Sequence, residues 1–94
     1  MEKIKTILKD HNASVVDVRA PWEFEEGHIK GAINIPLNEI PARMSDFKKM
    51  NGPVILYCRS GNRSGMAANI LKQAGISNIY NGGSLFDMQQ LSMN

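Results

Sequence analysis

The sequence predicts an α/β fold with a small, mostly parallel central sheet and helices on both faces. Short apolar runs rich in β-branched residues alternate along the chain with segments whose apolar residues follow helical spacing. The strand candidates are too apolar to present one face to water, which is typical of parallel strands that are covered on both sides. In such sheets the ligand site lies beyond the carboxyl ends of the strands.

Local residue patterns support each element. Pro21 suits the first position of a helix that ends near Gly27. Pro41 is tolerated only near the start of a helix, so the regular part of its segment should begin around residues 40–41. Gly75 occupies a helix C-cap position, Asn81-Gly82-Gly83 predicts a tight turn, and Ser84 suits a helix cap. The predicted strands are 14–18, 32–35, 54–57 and 76–80, and the predicted helices are 3–10, 21–25, 37–50, 63–74 and 84–91.

Composition narrows the functional classes. The 94 residues suit one domain, 1–94, and a net charge of +2 gives no case for nucleic-acid binding. A single cysteine excludes an internal disulfide. The two histidines, His11 and His28, are far apart in sequence, so we expect no metal site. No segment has transmembrane length, and residues 1–10 lack the apolar stretch of a signal peptide. We expect a cytoplasmic protein with no cofactor and no membrane association, although an exported form with its signal removed would look the same.

The lone cysteine begins a polar loop between a predicted strand and a predicted helix. Such a loop favours anions, because its N–H groups and the helix dipole both attract negative charge. Arg59 and Arg63 add positive charge, and Gly61 can adopt backbone angles that turn several N–H groups inward. These groups would stabilise a thiolate at Cys58. A cysteine at a strand end is often only a small buried hydrophobe, and the residues alone leave both interpretations open.

Three motifs resemble those of one known family. Cys58-Arg59-Ser60-Gly61-Asn62-Arg63-Ser64 is similar to the active-site loop of rhodanese-domain sulfurtransferases. Residues 17–36, from Asp17-Val18-Arg19 to Ile35-Pro36, resemble the upstream signature of that family, and Asn81-Gly82-Gly83 resembles its third motif. The order and spacing match over nearly all of the chain after Asn12, and the size is similar to single-domain members.

The resemblance implies a sulfurtransferase that works through a persulfide on Cys58. A donor such as thiosulfate would supply a sulfane sulfur, and cyanide, a small thiol or the thiol of a partner protein would accept it. Arg59, Ser60, Gly61, Asn62, Arg63 and Ser64 would bind the transferred sulfur and the anionic donor. Asp17 and Arg19 are expected at the same rim, Asp17 as structural support and Arg19 either as a partner of Glu23 or Asp17 or as an open rim charge. We expect a monomer.

Two other functions stay open. A cysteine phosphatase or arsenate reductase shares this domain plan, but the loop here has four residues between Cys58 and Arg63, whereas phosphatases have five. A non-catalytic rhodanese-like binding or regulatory module is the second alternative, although such modules have often lost the cysteine. One departure from the family is the aromatic residue after the double glycine, where Phe86 would have to supply the packing of a tryptophan.

Overall fold

The described residues form a four-stranded sheet in which every strand pair is parallel. The computed structural model describes residues 2–92, and its strands are β1 (Ser14–Asp17), β2 (Ile33–Asn34), β3 (Val54–Cys58) and β4 (Ile79–Ser84). Their spatial order is β2-β1-β3-β4, with β1 and β3 in the centre. Asp17 at the end of β1 lies beside Tyr57, one residue before the end of β3. The carboxyl ends therefore meet at one edge of the sheet, as the sequence predicts.

Helices cover both faces of the sheet, which confirms the predicted α/β architecture. Alternate residues of β3 point to opposite faces. Leu56 belongs to a core cluster with Phe47 and Leu71 on one face, whereas Ile55 belongs to a second cluster with Met88 on the other. The helices are α1 (Glu2–Leu8), α2 (Pro21–Glu26), α3 (Met44–Lys48), α4 (Asn62–Gln73) and α5 (Leu85–Ser92), with a 3₁₀ helix over Leu37–Arg43. None of these helices has both the length and the apolar character needed to cross a membrane.

The segment predicted as one helix over 37–50 is divided in two. Its first part, Leu37–Arg43, is a 3₁₀ helix, and α3 follows it. Pro41 lies inside the 3₁₀ part and has no N–H to donate to an α-helical hydrogen bond. The regular α-helix therefore begins three residues after Pro41, at Met44, and not at 40–41.

The prediction for 76–83 was wrong in its boundaries. The last strand begins at Ile79, and Asn81-Gly82-Gly83 continues β4 instead of forming a tight turn. Leu56 pairs with Asn81 and Tyr57 with Gly83, so β4 carries one extra residue at this point and forms a bulge. A Cβ atom on Gly82 would lie only 2.7 Å from Ile55 Cγ2 and from Met88 Sδ. The glycine is therefore required for close packing against β3 and α5.

The closing helix keeps its predicted cap but not its predicted aromatic packing. The Ser84 hydroxyl accepts the backbone N–H of Asp87 at 3.0 Å, as a capping residue does. Phe86 is 66% exposed, so the expectation that it replaces a packed tryptophan was wrong. Met88, two residues later on α5, is fully buried and fills the core on that side.

Candidate active site

Cys58 is the last residue of β3, and several hydrogen-bond donors converge on its sulfur. The Gly61 backbone N–H donates to Sγ at 3.0 Å, and the Ser64 N–H lies 3.4 Å away. The Ser64 hydroxyl is 3.5 Å from the same sulfur. The cysteine is fully buried among apolar residues of the core, yet its sulfur faces the start of α4. The thiol is therefore shielded from water, yet hydrogen-bond donors surround its sulfur on one side.

The loop achieves this arrangement through one glycine. Gly61 precedes α4 with φ at +95°, in the left-handed region that side-chain-bearing residues rarely adopt. This turn reverses the chain directly above Cys58, so that N–H groups of the loop and of the first turn of α4 point at the sulfur. A Cβ atom at Gly61 would lie 3.5 Å from Gly83 Cα, so the loop also rests closely on the backbone of β4.

These donors determine the acidity of the thiol. Burial raises the pKa of Cys58, because a buried thiolate loses its hydration. The Ser64 hydroxyl, when it donates to the sulfur, and the backbone N–H groups of Ser64, Ser60 and Gly61 favour the thiolate. Together they outweigh burial, so the net pKa of Cys58 is lowered. Of the loop residues predicted to bind the transferred sulfur, Ser60, Gly61 and Ser64 provide these donors. No hydrogen bond joins the sulfur to the backbone of Arg59, Asn62 or Arg63 in the described part of the chain.

The two loop arginines have different surroundings. Arg63 forms a bidentate ion pair with Glu23 of α2, with Nη1–Oε1 at 2.7 Å and Nη2–Oε2 at 3.0 Å. These hydrogen bonds lower the pKa of Glu23 to about 2 against the opposing effect of burial. Arg59 is exposed and has no ion-pair partner within residues 2–92. The sequence assigned both arginines to an anionic donor, but only Arg59 offers an uncompensated charge.

Asp17 and Arg19 form a buried pair at the end of β1. The Arg19 guanidinium donates to both carboxylate oxygens of Asp17, with Nη2–Oδ2 at 2.6 Å. The backbone N–H of Arg19 donates to Oδ1 of the same carboxylate at 2.9 Å. Arg19 Nη2 also donates to the Gly27 carbonyl at 2.7 Å. Because Arg19 is only 5% exposed, it is the partner of Asp17 and not an open rim charge. The structural interpretation of Asp17 fits these contacts.

Two residues of the site were not identified from sequence. Glu23 gave no signal for its pairing with Arg63, because forty residues separate them. Asn81 was noted only as part of a motif at a strand end, yet its Oδ1 accepts the Ser64 hydroxyl at 2.7 Å and its Nδ2 donates to the Gly61 carbonyl at 3.3 Å. These contacts place Asn81 at the same rim as Cys58.

A cleft of about 380 Å³ lies at the rim beside the loop. Its walls include Arg59, Trp22, Glu26 and Gln89, and the Trp22 ring is 61% exposed. The buried Asp17–Arg19 pair and the partly buried Glu23–Arg63 pair adjoin this cleft, since Arg19 and Glu23 also line it. A small anion entering here would meet Arg59 as the uncompensated cation.

Comparison with known proteins decides the family. The model of the rhodanese-like domain matches residues 1–84. The chain belongs to the rhodanese-like family. This rhodanese-like chain is 48% identical over 69 residues to the uncharacterized protein YqhL of Bacillus subtilis, covering 73% of this chain and 54% of that protein. It is 39% identical over 74 residues to the thiosulfate sulfurtransferase PspE of Escherichia coli, covering 78% of this chain and 71% of PspE.

The solved structures agree with the sequence comparison. A structure described as rhodanese with anions from E. coli superimposes with a TM-score of 0.73 at 38% identity, covering 80% of this chain and 89% of that one. The parallel sheet and its helices are thus those of the rhodanese fold. Relatives named as thiosulfate sulfurtransferases support a sulfurtransferase-type enzyme. The chain spans about half of the length of YqhL, so it corresponds to only part of that relative.

Proposed function

We propose that the protein transfers a sulfane sulfur from thiosulfate or a persulfide donor to cyanide or a thiol, through a persulfide on Cys58. The observation that supports this most directly is the convergence of backbone N–H groups on Sγ. Preorganised N–H donors can stabilise a charged sulfur without reorganising during the reaction. No general base is required where the thiol already has a lowered pKa.

The reaction proceeds in two displacements. In the first, the Cys58 thiolate attacks the outer sulfur of thiosulfate, a new S–S bond forms, and sulfite leaves with the electron pair of the broken S–S bond. In the second, the acceptor attacks the outer sulfur of the persulfide, and Cys58 leaves as a thiolate. Arg59 attracts the anionic donor to the cleft, and Asn62 begins α4 directly after the loop that bounds the sulfur. Atoms and charge balance without a metal or another cofactor.

We propose that the protein acts as a monomer, because its own Gly61 and Ser64 supply donors to the sulfur. A thiol with a lowered pKa is prone to oxidation, and a reducing compartment such as the cytoplasm would preserve it. The acceptor is proposed as a small molecule or an exposed cysteine of a partner protein, since Sγ is buried and only a slender group can reach it.

The test is intact-mass measurement of the purified chain after incubation with thiosulfate. We expect a gain of one sulfur atom, its loss on addition of cyanide, and no gain in Cys58→Ser. Asn69→Ala, which changes an exposed side chain of α4, is the matched control and should gain sulfur normally. An unchanged mass in the wild type would contradict the proposal and favour a binding module, whereas hydrolysis of p-nitrophenyl phosphate without sulfur uptake would favour a phosphatase.

A further inference from the structure

Asn81 reaches the reactive cysteine through a single intermediate side chain. It lies on β4 opposite Leu56, and its Oδ1 accepts the Ser64 hydroxyl at 2.7 Å. The same oxygen accepts the backbone N–H of Gly83 at 3.0 Å. Because a backbone N–H can only donate, this contact determines which atom of the amide is the oxygen. Ser64 therefore faces an acceptor at Asn81, and it must be the donor of their hydrogen bond.

The Ser64 hydroxyl carries one hydrogen and has three acceptors within reach. Asn81 Oδ1 is the nearest at 2.7 Å, the Gly61 carbonyl follows at 3.2 Å, and Cys58 Sγ is at 3.5 Å. The Gly61 carbonyl already accepts the N–H of Gly65 at 3.0 Å. The distances thus favour donation to Asn81, which leaves a lone pair of the Ser64 oxygen directed at the sulfur.

An oxygen lone pair facing the sulfur favours the thiol, which can donate, over the thiolate, which needs a donor. We propose that Asn81 is a positioning residue for Cys58: its side-chain oxygen competes with the sulfur for the Ser64 hydroxyl hydrogen and so limits the thiolate fraction. When the thiolate forms, the hydroxyl has to leave Asn81 to donate to it. The inference deepens the proposed function, because it concerns the same sulfur, and it rests on that function only for its effect on turnover.

Charged groups around the site also act on the thiol, and the test must leave them unchanged. Arg63 interacts electrostatically with Cys58. Most of the other charges are already paired, and substitution at Asn81 removes none of them. The charged or titratable groups at this rim are Asp17 at the end of β1, Arg19 after it, Glu23 and Glu26 on α2, Tyr57 on β3, Arg59 in the loop, Arg63 on α4 and Asp87 on α5.

The test measures the Cys58 pKa from the pH dependence of alkylation by iodoacetamide and, independently, from the ultraviolet absorbance of the thiolate. Asn81→Ala should lower the pKa by about one unit, because the freed hydroxyl can donate to the thiolate. Asn81→Asp should raise it, because a carboxylate holds the hydroxyl more firmly and adds a negative charge. Asn81 is exposed, so both variants should fold, and Asn69→Ala serves as the matched control with an unchanged pKa.

The same substitutions in a Ser64→Ala background decide the route. Without the hydroxyl, Asn81→Ala should leave the Cys58 pKa unchanged, and Asn81→Asp should keep only the part of its effect that comes from charge. A full shift for Asn81→Ala in that background would overturn the inference, as would shifts of both Asn81 variants in the same direction. The pKa measurement uses no sulfur donor, so it is independent of the persulfide test. Normal persulfide formation together with a Cys58 pKa that Asn81→Ala leaves unchanged would overturn this inference alone. A shifted pKa without persulfide formation in the wild type would overturn the proposed function alone.

Discussion

The ends of β1 and β3 lie side by side at one edge of the sheet, and they use their polar groups differently. After β1, the carboxylate of Asp17 and the guanidinium of Arg19 bind each other and are both buried. After β3, the backbone N–H groups of Gly61 and Ser64 point at a sulfur atom, and Arg59 has no ion-pair partner among residues 2–92. The first region satisfies its own charges and supports the rim, whereas the second directs donors at Cys58 and leaves the charge of Arg59 exposed.

The largest expected effect would test the supporting region. Asp17→Asn should lower the free energy of unfolding by about 3–5 kcal/mol, because it leaves the Arg19 charge buried and unpaired. Urea denaturation at neutral pH measures this loss. Asp46→Asn is the matched control, since it breaks a partly exposed pair with Arg43 and should cost less than about 1 kcal/mol. Equal, small losses in both variants would show that the buried pair is not a structural support.

Separate substitution of the two loop arginines should distinguish a charge that attracts the sulfur donor from a charge that stabilises the fold. Arg59→Ala should lower kcat/KM for thiosulfate about tenfold with little change in Tm, because it removes the uncompensated cation of the cleft. Arg63→Ala should cost about 2–3 kcal/mol of unfolding free energy as well, because Glu23 loses its two hydrogen bonds. Arg43→Ala, at the last residue of the 3₁₀ helix, is the control for the loss of a surface cation. A normal kcat/KM in Arg59→Ala would contradict the division of roles.

The smallest expected effect concerns acid. Glu23 has its pKa lowered to about 2 in the folded protein from an ordinary value of 4.5, so its ion pair stabilises the fold fully above pH 4.5 and loses that contribution as pH falls toward 2. The loss should be about 1–2 kcal/mol, because Arg63 is partly exposed and its charge is screened. The free energy of unfolding, measured by thermal melting between pH 5 and pH 2, should therefore fall less in Glu23→Gln than in the wild type, by about 1–2 kcal/mol.

Glu25→Gln, which changes an exposed carboxylate of the same helix, is the control for this measurement. It should reproduce the pH dependence of the wild type. A Glu23→Gln profile that is as steep as the wild-type profile would mean that the Arg63 pair does not contribute to acid stability.

The parts of the site that are local in sequence could be predicted, and the parts that join distant segments could not. The strand, the glycine and the helix start that surround Cys58 follow one another directly, so their pattern indicated a cradle of N–H groups. The pairing of Glu23 with Arg63 depends on how α2 packs over the loop, and no local pattern encodes that distance. The role of Arg19 was also left open, because its exposure decides between a support and a rim charge, and exposure depends on how the surrounding segments pack.

The misassigned end of the chain has a physical cause of a different kind. Asn81-Gly82-Gly83 has the composition of a turn, and sequence patterns cannot tell whether a glycine is present for its backbone angles or for the space it leaves. Here both reasons apply within two residues. Gly82 leaves space for Ile55 and Met88, and Gly83 has φ at +90° in the bulge. The strand therefore continues where the pattern indicates its end.

The contact of Gly61 with Gly83 has a consequence for how this site can change during evolution. The N–H groups of Gly61 and Ser64 that point at the sulfur belong to the main chain, and the loop that carries Gly61 rests on main chain as well. Substitutions other than proline can bend such a framework, but they cannot delete these N–H donors. Variation in the surrounding side chains, such as Trp22 and Gln89, can therefore retune which molecules are admitted while the chemistry beneath persists.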